Sequence, residues 1–319
     1  MSSPFDFLAP LVELEDKINE LKHLGESTGM DMSSELESLD RKFEDETRRI
    51  FAVLSPWQRV QLARHPLRPQ TSDYIDLMVE DFVPLAGDRS FADDEAVVCG
   101  LGRVGTHDCM VIGQQKGKDV HERRRCNFGS PHPEGYRKAM LKMRLAEKFG
   151  LPVISLINTP GAFPGIEAEE RGQSLAIAEN IRDMARLRTP VVVVIIGEGG
   201  SGGALGIGVG DRMLVLENSY YSVISPEGCA AILWRDAAKA PVAAEAMKIT
   251  ATSLIELGIC DEVIREPAGG AHRNPEAMAG ILGAAIGRQL DALGALSMDE
   301  LLDQRYAKYR AIGAFRSAC

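Results

Sequence analysis

Residues 191–208 read VVVVIIGEGGSGGALGIG: six β-branched residues, then seven glycines within twelve positions. An unbroken β-branched run suits a strand buried on both faces, as in parallel sheets covered by helices. The glycines satisfy two motifs at once. Gly197, Gly199 and Gly202 fit G-x-G-x-x-G, the dinucleotide fingerprint, and Glu217 follows at about the ~20-residue spacing of the ribose-binding acid. Gly199, Ser201 and Gly203 fit G-x-S-x-G, the nucleophile elbow, and Asp261 and His272 follow in α/β-hydrolase order. A third reading asks nothing of side chains. Glycine lets backbone N–H groups turn toward a bound oxygen and lets a substrate approach the main chain. At a helix start those groups lack an intrahelical partner, so they are free to form an oxyanion hole.

Each reading meets a physical objection or a support. A helix after the dinucleotide loop would carry Gly203, Gly206, Gly208 and Gly210, each costing ~1 kcal/mol against alanine. A chain with six histidines offers a Ser–Asp–His order readily, and Ser201 then reads as a small residue in a crowded loop. The oxyanion reading gains from a second Gly/Pro loop, TPGAFPG at 159–165, at the end of the neighbouring strand. Two such loops can build one pocket.

Outward from this stretch, strands and helices alternate. EAVVCGLGRVGTHDCMVIGQQKG (95–117) predicts two strands around a Gly-rich turn. PEGYRKAMLKMRLAEKFG (133–150) predicts a helix ended by Gly150. LPVISLI (151–157) predicts a strand, and AEERGQSLAIAENIRDMARLR (168–188) a helix. Then come strand 191–196, loop GEGGSGG (197–203), a short helix ALGIGVG (204–210), and strands RMLVLE (212–217) and YYSVIS (220–225). NPEAMAGILGAAIGRQLDAL (274–293) predicts a further helix. The pattern argues for α/β architecture with parallel strands and crossovers.

The first 65 residues have a different texture. Leu11, Leu14, Ile18 and Leu21, and again Leu36, Leu39 and Phe43, recur at helical spacing, with STGMDMSS between the two runs. Ser55 and Pro56 make a strong start for another helix. These stripes predict a helical extension over 1–84 that packs on the core or on a partner. The core is expected over 85–296 and a helical tail over 297–319.

Composition narrows the function. The net charge is -10 and the isoelectric point about 5.2, so the global field opposes nucleic-acid binding. No secretory leader is legible in MSSPFDFLAP, and the longest apolar run is too short to span a bilayer, so a cytoplasmic, membrane-free protein is expected. Cys99, Cys109, Cys126, Cys229, Cys260 and Cys319 are scattered with no C-x-x-C, so neither a zinc ribbon nor a disulfide framework is expected, and no metal site is assigned.

QQKG, NFG, PEGYRKA, TPGAFPG, ERGQ, GEGGSGGALGIGVGD, YSVISPEG and GGAHRNPEAM occur in this order between residues 114 and 278. Together they resemble the carboxyltransferase alpha-subunit family of bacterial acetyl-coenzyme A carboxylases. The resemblance implies a crotonase-like (ClpP/crotonase) spiral of ββα units with an N-terminal helical extension. It implies a heterotetramer with a beta subunit that bears the zinc ribbon, and a site between the two chains. It implies transfer of a carboxyl group from carboxybiotin, held on a biotin carboxyl carrier protein charged by biotin carboxylase, to acetyl-CoA, giving malonyl-CoA. In its light Gly202 and Gly203 are the catalytic donors to the biotin ureido oxygen. Gly199, Gly200 and Ala204 line the cofactor, and Thr159, Gly161 and Ala162 shape the adjoining wall. The alternative is a serine hydrolase using Ser201.

A few residues stand beside these. Where the family often has Asp before Thr-Pro-Gly, this chain has Asn158, which keeps an acceptor oxygen but no charge. Lys116, Lys118, Arg123, Arg124 and Arg125 form a basic run that reads equally as a solvated loop or as a contact for CoA phosphates or an acidic carrier. His272 and Arg273 read as fold-stabilising or as part of a subunit contact, and Glu227 as a helix cap.

Overall fold

A computed structural model describes residues 4–29 and 31–313. Cys319 and the end of the expected tail lie outside the described residues. The chain begins with an antiparallel pair of helices, α1 (Ala9–Thr28) and α2 (Ser33–Ala52), followed by α3 (Pro56–Ala63) and α4 (Thr71–Met78). Ser55 caps α3 in a capping box with Gln58, as the Ser-Pro start predicts.

One sheet organises the rest of the chain. Its strands are β1 (Glu80–Pro84), β2 (Val97–Val104), β3 (His107–Gln114), β4 (Val153–Thr159), β5 (Val191–Gly200), β6 (Arg212–Leu216), β7 (Tyr220–Ser222) and β8 (Glu262–Ile264). The order is β1-β2-β3-β4-β5-β6-β8, and β7 pairs with β5 off this path. β2 and β3 form the antiparallel hairpin expected over 95–117, and β3, β4, β5, β6 and β8 run parallel. β1 falls within residues assigned to the extension, yet it is the antiparallel edge of the sheet.

The β-branched run sits at the centre for the reason its composition gives. Val191, Val193 and Ile195 join one core, with Tyr136, Met140 and Met143 of α6 (Pro133–Phe149). Val192, Val194 and Ile196 join the other, with Met278, Leu282 and Ile286 of α13 (Pro275–Gly294). All six are fully buried, each worth ~1.5–3 kcal/mol on transfer from water.

The remaining helices are α5 (Val120–Arg125), α7 (Ile166–Glu170), α8 (Gln173–Met184), α9 (Ser201–Leu205), α10 (Pro226–Trp234), α11 (Ala240–Met247), α12 (Ala251–Glu256) and α14 (Met298–Ala311). Several differ from expectation. The single helix expected over 168–188 is broken, because Gly172 adopts a left-handed φ of 84° between α7 and α8. The strand expected over 220–225 is three residues long and gives way to the turn before α10. The described part of the expected helical tail holds α14, which is anchored to the core. Arg305 of α14 is 1% exposed, binds Asp211 at 2.8 and 2.7 Å, and donates to the carbonyls of Met184, Leu187 and Thr189. No helix among the described residues is long and apolar enough to cross a membrane.

Candidate active site

The glycine stretch is not the loop expected at 197–203. β5 keeps its pairing to its end: Gly199 is opposite both Thr159 and Tyr221, and Gly200 is opposite Ser222. α9 begins at the next residue, Ser201, which takes a left-handed φ of 53° to turn strand into helix. Close packing explains the glycines. A Cβ on Gly200 would stand 2.2 Å from the Pro160 oxygen, and one on Gly199 2.5 Å from the Tyr221 ring. Gly203 packs on Gly161 and Ala162, so the two Gly/Pro stretches do meet. Gly202 faces outward, with nothing nearer its open side than Ile177 at 3.8 Å.

The expected site residues divide by accessibility. Gly202, Gly161 and Ala162 are partly exposed, whereas Gly199, Gly200, Gly203, Ala204 and Thr159 are buried. Thr159 uses its hydroxyl within the protein, donating to Gly129 O at 2.6 Å and Gly161 O at 2.9 Å and accepting from Gly161 N at 3.0 Å. These bonds within the protein hold the wall in place. The wall is braced further by Gln173, which donates to the Pro131 and Phe163 carbonyls, and by His132 stacked on Phe163 at 4.2 Å. The Gly203 carbonyl accepts from Gln114 and Tyr136, fixing the turn from below.

Beside the α9 turn opens a cavity of about 430 Å³, lined mainly by apolar side chains that include Leu205, Tyr221, Val223, Met247 and Leu257, with Ser201 and Gly202 at its rim. The hydroxyl of Ser201 has no histidine partner among the described residues. Asp261 instead accepts from Met213 N and pairs with Lys308, and His272 stacks on His65 with ring centroids 4.0 Å apart. No nucleophilic triad is assembled. The dinucleotide reading fails too: α9 is five residues long, and Glu217 accepts from the Glu266 amide at a strand end.

Sequence reasoning missed the charged lattice behind the site. Glu198, 5% exposed, accepts from Arg64 at 2.6 Å and from Tyr220 at 2.6 Å, and pairs with Lys116. Burial alone would raise its carboxyl, but the Lys116 ammonium and Arg64 guanidinium outweigh that and hold it down at about 2. Behind it Arg68 grips Glu266 at 2.6 and 3.1 Å, so residues 64–68 of the expected extension are bolted to the core. The signal was present as a lone acid inside a buried, glycine-rich strand. Asn158 ties β4 to β5 with the acceptor oxygen it keeps: its Oδ1 accepts from Glu198 N at 3.2 Å.

Three smaller expectations are resolved by contacts nearby. Glu227 pairs with Arg64 at 2.5 Å, while the cap of α10 is Ser225, accepting from Gly228 N. Arg273 pairs with Glu15 of α1 and lies over Phe43 of α2, so it does stabilise the fold. The basic run does not act as one patch: Lys116 pairs with Glu198, Lys118 with Asp73 and Arg125 with Glu95, while Arg124 is exposed.

A helix-covered, mostly parallel sheet with two Gly/Pro turns meeting at strand ends is the fold of crotonase-like carboxyltransferases. The transcarboxylase 12S structure with methylmalonyl-coenzyme A matches 78% of this chain and 43% of that one, at a TM-score of 0.57 and 17% identity. The beta subunit of P. aeruginosa geranyl-CoA carboxylase matches at a TM-score of 0.54 and 18% identity, covering 83% of this chain and 48% of that one. At the level of sequence, residues 4–313 match the family described as acetyl co-enzyme A carboxylase carboxyltransferase-like, and the chain belongs to that family. It is similar to the acetyl-coenzyme A carboxylase carboxyl transferase subunit alpha of Methylococcus capsulatus, 55% identical over 97% of each chain. The subunit of the same name from Stenotrophomonas maltophilia is 53% identical over 98% of each. Neither these relatives nor the site geometry supports a serine hydrolase.

Proposed function

We propose that this chain is the biotin-side half of an acetyl-CoA carboxylase carboxyltransferase, working in the cytoplasm with a zinc-ribbon beta subunit in an α2β2 assembly. Carboxybiotin, presented by a carrier protein that biotin carboxylase charges, supplies the carboxyl group, and acetyl-CoA accepts it. The single observation that carries the reading is the contact of Gly203 with Gly161 and Ala162, which sets an open glycine turn against a wall with no side chain between them.

The residues suit the group they would receive. Gly202 leaves the outer face of the turn bare, and the cavity beside it is apolar enough for a bicyclic ring and its alkyl arm. When bound, carboxybiotin would supply the carboxyl group, and its release would leave negative charge on the ureido oxygen. The N–H groups of Gly202 and Gly203 lie in the first turn of α9, where no carbonyl of the same helix reaches them, and they stabilise that charge. Gly199, Gly200 and Ala204 keep the turn rigid from inside, and Gly161 and Ala162 close its side. The hole for the thioester oxygen falls to the beta subunit.

The test is co-purification with a beta subunit, followed by decarboxylation of malonyl-CoA in the presence of free biotin. Turnover that needs both chains is expected. Robust carboxyl transfer by this chain alone would overturn the assignment of half a site.

A further inference from the structure

Arg64, at the C-cap of α3, uses all three of its guanidinium nitrogens, and each reaches a different element. Its Nε donates to Glu198 of β5 at 2.6 Å, its Nη1 to Glu227 of α10 at 2.5 Å, and its Nη2 to the Tyr220 hydroxyl of β7 at 3.0 Å. The Tyr220 hydroxyl in turn donates to Glu198 at 2.6 Å, which closes a triangle of bonds between β5 and β7. A planar fork of donors fixes the spacing and angle of the acceptors it joins, as a single ammonium does not.

The elements so joined border the apolar cavity. β5 runs on from Glu198 into Ser201 and Gly202 at the cavity rim. β7 carries Tyr221 and leads to Val223 in the lining, and α10 begins beyond Val223 at Pro226. The Tyr221 ring covers Gly199, and its N–H donates to the Ile249 carbonyl at 3.1 Å.

Apolar packing adds a second, independent link. Val60 and Ala63 of α3 are buried in one cluster with Tyr220 and Ile249, and Met247 packs against it. Met247 and Ile249 also line the cavity, so α3 backs the wall that Arg64 ties to the glycine turn. Attachment of the segment does not rest on Arg64 alone. Arg68 holds Glu266 at 2.6 and 3.1 Å and the Ile196 carbonyl at 2.8 Å, and both side chains of that pair are buried. What Arg64 adds is a tie between the strand that ends in the glycine turn and the strand that lines the cavity.

We propose that Arg64 is a positioning residue for the biotin cavity: through Glu198, Tyr220 and Glu227 it sets the distance between the Gly202 turn and the wall of Tyr221 and Val223, and so the fit of the ring. The ligand rests on the carboxyltransferase reading; the tie itself does not. Arg64 does not line the cavity and acts through these partners. Lysine keeps the charge but loses the fork, so Arg64→Lys separates charge from geometry.

Hydrogen–deuterium exchange on the full chain tests the tie without turnover. In Arg64→Lys the amides of residues 220–224 are expected to exchange roughly tenfold faster, while those of α4 exchange as in the parent. In the two-chain enzyme the same variant is expected to raise KM for free biotin roughly tenfold in malonyl-CoA decarboxylation and to leave KM for malonyl-CoA unchanged. Tyr220→Phe, which removes one corner of the triangle and keeps the ring in its cluster, is expected to raise KM for biotin severalfold. Arg273→Gln breaks the pair between α1 and the core, and serves as a control that is destabilised elsewhere. It is expected to leave both KM values as in the parent. Unchanged exchange at 220–224, an unchanged KM for biotin, equal rises for both substrates, or a matching rise in Arg273→Gln would overturn the proposal. Were Arg64→Lys not to fold, Tyr220→Phe would decide it by the same readings. A parent without carboxyl transfer would refute the carboxyltransferase reading, and exchange at 220–224 would still decide whether Arg64 sets the wall.

Discussion

Gly203 lies against Ala162 with no space for a side chain: a Cβ there would stand 2.4 Å from the Ala162 nitrogen and 2.5 Å from the Gly161 carbonyl carbon. Gly202, one residue earlier, has 3.8 Å of clearance. Neighbouring glycines in one turn therefore respond differently to substitution. Gly203→Val forces the turn and the wall apart, and the loss of an aligned donor predicts a fall of ~10²–10³ in carboxyl transfer together with a lower melting temperature. Gly202→Ala is expected to fold and melt like the parent. Circular dichroism melts beside the transfer assay check both, and equal melting of the two variants would contradict the packing argument.

Ser201 owes its place to the strand-to-helix turn rather than to its hydroxyl. Ser201→Ala is expected to keep most carboxyl transfer, with a stability change under about 1 kcal/mol. Ser201→Gly should melt no lower than the parent, because glycine takes the left-handed φ of 53° without steric cost. A fluorophosphonate probe should leave the residue unlabelled, as no histidine reaches it.

How far the sequence was legible depends on where its signals are local. VVVVII announced a strand buried on both faces because burial acts on each residue in turn. The hairpin over 95–117 and the Ser55 start of α3 were equally local. The glycine stretch misled as to its own structure: glycine reads as a loop, but here the missing side chains of Gly199, Gly200 and Gly203 admit a neighbouring strand or turn. Gly172 likewise looked harmless inside a helical pattern. Glu198, Arg64 and Arg68 were invisible as a unit because Arg64 and Arg68 lie more than a hundred residues from the carboxylates they pair with, Glu198 and Glu266, and only the folded sheet brings them together.

That lattice makes a prediction of its own. Glu198→Ala leaves Lys116 and Arg64 facing a buried gap, and removing one partner of a buried ion pair costs ~3–5 kcal/mol. Urea unfolding should show a loss of that order, and a smaller one for Glu198→Gln, which preserves an acceptor for Tyr220. A loss below about 1 kcal/mol would mean that the network does not secure residues 64–68 to the core.

Acid should loosen the N-terminal helices through His272. Burial first, then the neighbouring His65 and Arg68, lower its imidazole from 6.5 to about 4. Between those values the unfolded chain binds the proton and the folded chain does not, so stability falls as pH falls through this window, by ~1.4 kcal/mol per pH unit for one proton. Glu198 and Glu266, each held at about 2, add their loss at lower pH. His272→Gln should flatten the slope between pH 6.5 and 4 in pH-dependent melts. An unchanged slope would remove His272 from the account.

The central claim, that the first turn of α9 receives the biotin ureido oxygen, is tested most directly by a structure of the two-chain enzyme with biotin bound. The account predicts that oxygen at about 2.7–3.1 Å from the backbone nitrogens of Gly202 and Gly203, with the ring over the cavity that Met247 and Leu257 line. A ureido oxygen held instead by side chains, or by the partner chain alone, would contradict it.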